Sequence, residues 1–180
     1  MDRPFGRAAL GITTAAGIAF AALVALPPAA HAGIADITCA GTETQMFAPG
    51  LLLTPQTVAL TVHSIYSPCV STVDPSITFG TTDFGFASTL SCLDLLKSSA
   101  GTMAFNWSNG AQSTFSFNRS ATTVGGELVV SETGVITAGE FSGDTVERIV
   151  TGPTLNTLQC LSPPGITGRT GVVSIVITTA

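Results

Sequence analysis

Residues 102–118 read TMAFNWSNGAQSTFSFN, and this stretch decides the fold class. Met103, Phe105 and Trp107 alternate with small or polar residues, as do Phe115 and Phe117 after them. An apolar period of two marks half-buried strands. Asn109-Gly110 between them marks a hairpin turn. A two-residue turn would pair Ser108 with Ala111 and send the two aromatic stripes to opposite faces. A three-residue loop, Ser108-Asn109-Gly110, pairs Trp107 with Ala111, Phe105 with Ser113 and Met103 with Phe115. Both stripes then share one face. A one-residue slip moves a whole apolar set to the wrong side, so burial selects the three-residue loop. That loop needs Gly110 in the left-handed conformation.

Similar alternation extends outward. Thr57 to Ile65 puts Val58, Leu60 and Val62 on one face and Thr57, Thr61 and His63 on the other. Ile77 to Leu90 is a second strand region, with Gly80 and Gly85 as bends or bulges. Glu127 to Ser131, Gly134 to Thr137, Thr145 to Thr151 and Val172 to Thr178 complete the set. Only Cys92 to Lys97 could make a helical turn. Threonine and serine, at home on pleated surfaces, make up more than a quarter of residues 33–180. Turn residues recur at the spacing of all-β domains. The expected fold is a single antiparallel β-sandwich, Ig-like or Greek-key/meander, of about eight to ten strands. A closed β-barrel is the alternative. Unequal strand lengths and several glycines, read as edge bends, favour the sandwich.

Residues 1–32 read as a secretory signal peptide. Arg3 and Arg7 precede an apolar run from Ala8 to Leu26, and Ala30-His31-Ala32 supplies a small-x-small cleavage site before Gly33. The expected product is one all-β extracellular domain, residues 33–180. Four basic side chains in that span (Lys97, Arg119, Arg148, Arg169) face ten acids, a net charge of −6. No basic face for nucleic acid can be built from these, and docking on anionic lipid is equally disfavoured. No second long apolar run follows, so no membrane association is expected after cleavage.

Cys39, Cys69, Cys92 and Cys160 all lie in the exported part, and an even count there points to two disulfides. Four cysteines allow three pairings. Cys39–Cys69 brackets one strand-loop-strand unit, and Cys92 and Cys160 each follow similar Thr-Leu-x segments, so Cys39–Cys69 with Cys92–Cys160 is favoured. Spacing gives no metal site, since there is no C-x₂-C and His63 is the sole histidine after residue 32.

Catalytic patterns are likewise missing, and neither a catalytic residue nor a cofactor is assigned. His63 and Ser64 are adjacent on a strand and point to opposite faces. G-x-S-x-G, H-E-x-x-H and S-x-x-K do not occur. Glu127, Glu132, Glu140, Asp144 and Glu147 read as a solvated sheet edge kept from aggregating by charge. Gly165 to Gly171 reads as a flexible turn rather than an anion loop, because a strand and not a helix follows it. Phe79, Phe84 and Phe86 read as core, with one of them exposed or lining a pocket.

Several short motifs carry a resemblance. They are Cys39-Ala40-Gly41-Thr42, Pro49-Gly50-Leu51, Phe105 to Gly110 with Ser113, the run Gly134 to Asp144, and Cys160 with Gly165. In this ordering the chain resembles a group of small exported actinobacterial proteins of unknown function. The resemblance implies no activity and carries over no functional residue. Composition alone is also similar to the acidic, two-disulfide apo-chromoproteins that carry enediyne antibiotics, without their closely spaced cysteines. The expected function is therefore a secreted, non-catalytic module. It would be either cell-envelope-associated or a released interaction protein, with an unknown protein or envelope component as partner. A carrier of a small apolar ligand is the alternative, needing a cavity lined by residues such as Phe84, Phe86 or Met103. An inhibitor of secreted proteases, acting through Ser67-Pro68-Cys69-Val70, is the third.

Overall fold

The computed structural model describes residues 34–180, so the signal segment and its Ala32–Gly33 junction lie outside the described residues. Eight strands follow one another: β1 Ala35–Leu51, β2 Gln56–Ser71, β3 Gly80–Leu90, β4 Ser99–Trp107, β5 Gln112–Val124, β6 Glu127–Gly139, β7 Thr145–Pro153 and β8 Ile166–Thr178. Two short 3₁₀ turns, Cys92–Leu96 and Gln159–Leu161, lie in the connections after β3 and β7. Each strand pairs antiparallel with its predecessor, and β8 pairs with β1, closing the sheet. The fold is all-β and antiparallel, but it is a closed eight-stranded barrel and not a sandwich.

The hairpin at the centre of the sequence has the three-residue loop. Met103 pairs with Phe115 and Phe105 with Ser113. The Trp107 N–H donates to the Ala111 carbonyl at 2.9 Å, and Gly110 has φ +86°. The aromatic stripes meet as that register requires: the Phe105 and Phe115 rings stack 5.5 Å apart. Trp107 lies edge-on to Phe141 at 5.7 Å and donates its indole N–H to Ser113 Oγ at 2.8 Å. With Ile37, Ile136, Ile175 and Ile177 these rings fill one end of the barrel.

Two features explain why closure wins over the sandwich. β8 runs along β1 from Ala35↔Thr178 to Leu51↔Ile166, so neither terminal strand is left with a free edge. Gly134, read as the start of a strand separate from Glu127 to Ser131, lies inside the single strand β6. A Cβ there would sit 1.9 Å from the Ser116 carbonyl oxygen, so glycine permits a close backbone approach between β5 and β6. It serves curvature rather than an edge. The Gly165 to Gly171 run is likewise not a flexible turn: from Ile166 onward it is β8, paired with β1 through Gly168↔Met46 and Gly171↔Glu43.

The disulfides are Cys39–Cys69, joining β1 to β2, and Cys92–Cys160, joining the two 3₁₀ turns. The second knits the other barrel end: the Leu53 N–H donates to the Cys160 carbonyl and the Cys92 N–H to the Leu52 carbonyl. Three connections are thereby tied into one rim.

Candidate functional site

Alternation along the strands sends every second side chain into the barrel. In β1 these include Glu43, Gln45 and Phe47. In β2 they are Val58, Leu60, Val62, Ser64 and Tyr66, and in β6 Glu132. Arg119, Arg148 and Arg169 share parity with the buried residues of their own strands, β5, β7 and β8. Three guanidinium groups and two carboxylates therefore point into the barrel.

Arg148 organises a buried ionic layer across the barrel and is 1% exposed. Its Nε donates to Tyr66 Oη at 2.9 Å, Nη1 donates to Glu132, and Nη2 donates to Glu43 and to Ser64 Oγ. Ser64 donates in turn to Glu43 Oε2 at 3.0 Å, and Gln45 Nε2 to Glu43 Oε1 at 2.7 Å. Burial works against the Arg148 charge, but Tyr66, Glu43 and Glu132 outweigh it and hold its pKa above the ordinary value. Burial raises the Glu132 pKa, Arg148 pulls against that rise, and the like charge of Glu43 adds to it. The sequence reading of Glu132 as part of a solvated edge is thus corrected. A closed barrel hides alternate side chains of every strand, and Glu132 falls on the hidden parity. Glu127 and Glu147 of the same group are exposed.

Above this layer lies a cavity of about 480 Å³. Phe47, Leu60, Val62, Phe84, Phe86 and Phe117 supply apolar wall, and Leu95 overhangs it from the 3₁₀ turn. Arg119, Glu132 and Gln45 belong to its polar lining, with the paired Asp94 and Lys97 and the hydroxyls of Ser91, Ser98, Ser99 and Thr102. It exists because β3 and β4 pair only at Gly80↔Trp107 and Thr81↔Asn106. Beyond them Thr82 Oγ1 still donates to the Ala104 carbonyl at 2.9 Å, after which the two strands separate. Phe84, Phe86 and Leu90 of β3 and Ser99 to Thr102 of β4 line the resulting cleft. Phe86 is therefore half exposed rather than core, Phe79 is exposed near the opposite end, and Met103 is packed in the core away from the cavity.

The rim over the cleft is held by specific bonds. The Ser91 N–H and Oγ–H both donate to Asp94 Oδ2, at 2.7 and 2.6 Å, and Lys97 Nζ donates to Asp94 Oδ1 at 2.6 Å. Lys97 and then Ser91 hold the Asp94 pKa down to about 2. Arg119 donates from Nη1 to the Lys97 carbonyl at 2.7 Å and from Nη2 to the Leu95 carbonyl at 2.8 Å, anchoring the turn to the barrel wall. Burial lowers the Arg119 pKa, and Glu132 and Glu43 oppose that.

His63 faces outward and meets Asp83, its ladder partner, on the exposed wall. Ser64 points inward to Arg148, so the two neighbours do not converge. The Ser67-Pro68-Cys69-Val70 segment lies within β2, with Cys69 and Val70 paired to Cys39 and Thr38, and does not project as a loop. Sequence reasoning missed Glu43, Gln45, Arg119, Arg148 and Arg169 as interior residues. The available signal was their parity with neighbouring apolar residues, such as Arg148 between Val146 and Val150.

Comparison adds no relative. No protein-family model, curated protein or solved structure matches the chain. Function must be argued from the site itself.

Proposed function

We propose that this chain is a non-catalytic, secreted carrier that holds one small, largely apolar molecule inside its barrel. The cavity carries this reading. Eight strands enclose room for packed side chains or for one small ligand, and here one half is packed while the other half is open and aromatic-lined. Its volume lies within the range of small-molecule pockets, about 300–1,000 Å³. Two disulfides fit an extracellular protein, and the N-terminal signal pattern supports export.

Titration with the neutral dye N-phenyl-1-naphthylamine tests the reading. Saturable one-to-one uptake with a fluorescence rise is expected. Leu60→Trp, which puts an indole into the cavity, should weaken uptake by about tenfold or more through steric exclusion. Its circular dichroism should match the parent. Uptake that L60W leaves unchanged, or none by the parent, sinks the proposal.

One observation favours an additional partner. Leu93, Leu96, Leu158 and Leu161 are exposed on the two connections joined by Cys92–Cys160, and Leu53 is exposed on the β1–β2 connection bonded to Cys160, so that the cavity end carries an apolar rim. Exposed apolar surface of this kind marks docking sites, and an envelope component is the partner proposed. Co-sedimentation with the envelope fraction of the producing cell should fall several-fold, roughly a kcal/mol of lost apolar contact, in Leu158→Ser/Leu161→Ser. Equal co-sedimentation would remove the envelope reading.

A further inference from the structure

The charges inside the barrel do not balance. Among the described residues, Arg119, Arg148 and Arg169 face in around the layer and cavity with Glu43 and Glu132; buried Asp36 sits apart on the Thr179 hydroxyl beside Ile37 and Asp94 is paired with Lys97, so one positive charge there is uncompensated. Residues 34–180 as a whole carry a net charge of −6, so the excess is opposite in sign to that of the molecule.

Its location can be narrowed. Arg148 takes up one oxygen of each carboxylate and has hydrogen-bond partners on all three nitrogens. Neither Arg119 nor Arg169 forms an ion pair among the described residues. Arg119 lines the cavity and spends its two terminal nitrogens on neutral carbonyls. Arg169 does not itself line the cavity but is the ladder partner of Gln45, which does. Arg169 Nη1 is buried with no hydrogen-bond partner. A buried donor without an acceptor is costly, and buried guanidinium groups ordinarily have carboxylate or phosphate partners. Burial lowers the Arg169 pKa, Glu43 raises it and the charge of Arg119 lowers it again, so the two arginines feel one another.

We propose that the cavity selects an amphipathic monocarboxylate, its apolar body against Phe84, Phe86 and Phe117 and its carboxylate on Arg169 and Arg119. This rests on the carrier reading and deepens it. One negative charge offsets that excess, and a turn of the Arg169 side chain past Gln45 would bring Nη1, which is shut off from the cavity in this structure, onto the acceptor it lacks. A cationic amphiphile would add a second unpaired positive charge in a low-dielectric space and is excluded by the same reasoning.

The test uses three probes of equal chain length, decanoate, 1-decanol and decylammonium, each displacing bound N-phenyl-1-naphthylamine at about pH 7. Decanoate should displace the dye at a concentration about tenfold or more below that of 1-decanol, the scale of a charged hydrogen bond. Decylammonium should be the weakest. Arg169→Gln should bring decanoate to within about twofold of 1-decanol by removing that bond, while leaving 1-decanol unchanged. Arg119→Gln should act in the same direction. Arg169→Gln is the decisive variant, because Arg119 also anchors the rim. Equal displacement by decanoate and 1-decanol overturns the anion assignment and leaves the carrier reading standing. Preferred binding of decylammonium, or a decanoate preference that survives both variants, overturns it as well. Failure of the parent to bind either the dye or 1-decanol would instead overturn the carrier reading beneath it.

Discussion

Arg148→Met is expected to lose about 3–5 kcal/mol of stability near pH 7, because it leaves Glu43 and Glu132 buried without a counter-charge. For a domain of this size that is roughly 6–20 °C in Tm. The loss should depend on pH with a defined sign. Glu132 already has a folded pKa above its unfolded value through burial, and removing Arg148 raises it further. A carboxyl with a raised folded pKa contributes most below its unfolded pKa, and that contribution disappears as pH rises through the folded pKa. The gap between parent and variant should therefore narrow on acidification and widen toward neutrality. Converting both acids as well, in Glu43→Gln/Glu132→Gln/Arg148→Met, should recover most of the loss, since no buried charge then lacks a partner. Urea denaturation at several pH values checks this. A loss under about 1 kcal/mol, typical of an exposed pair, would show that the layer is solvated.

Removing the second disulfide should have a comparable effect by a different route. Cys92 and Cys160 are 68 positions apart, and their bond closes a long loop. Restricting that loop in the unfolded chain is worth about 4.4 kcal/mol in the chain-entropy account, against about 3.7 for Cys39–Cys69. Cys92→Ala/Cys160→Ala should therefore lose up to about 4 kcal/mol in denaturant unfolding. The bond also joins the rim turns beside the cavity, so this variant should weaken dye uptake. Cys39→Ala/Cys69→Ala lies toward the packed end, where Cys39 and Cys69 contact the aromatic core, and should leave uptake near the parent value once folded. Equal effects of the two variants on uptake would disconnect the rim from the cavity.

What could be read from the sequence was local. The hairpin from Met103 to Phe117 has bulky rings on one parity, so only one register buries both stripes, and that register is present. β1 was invisible for the opposite reason. Its inward positions include Glu43 and Gln45, and a register shift between Cys39 and Gly41 breaks the alternation. Glu132 and Arg148 gave the same false signal, since a charge in isolation reads as solvated until its partner is known. That partner is remote: Arg148 lies 105 positions from Glu43. Closure, too, is a long-range fact, set by β1 against β8 at opposite ends of the described chain. The cavity depends on β3 and β4 failing to pair beyond Thr81↔Asn106, and no single residue encodes that divergence. Phe84 and Phe86 could be singled out as ambiguous, but their place on the cavity wall required the neighbouring strand to be absent.

The central claim is that the space between the ionic layer and the rim is a ligand site. Intermolecular nuclear Overhauser effects between N-phenyl-1-naphthylamine and the protein test it most directly. The account predicts contacts to the ring protons of Phe84, Phe86 and Phe117 and to the methyl groups of Leu60 and Leu95, all on the cavity wall. Contacts confined to outward residues such as Ile65, Val135 or Val172, which are exposed on the barrel exterior, would contradict it.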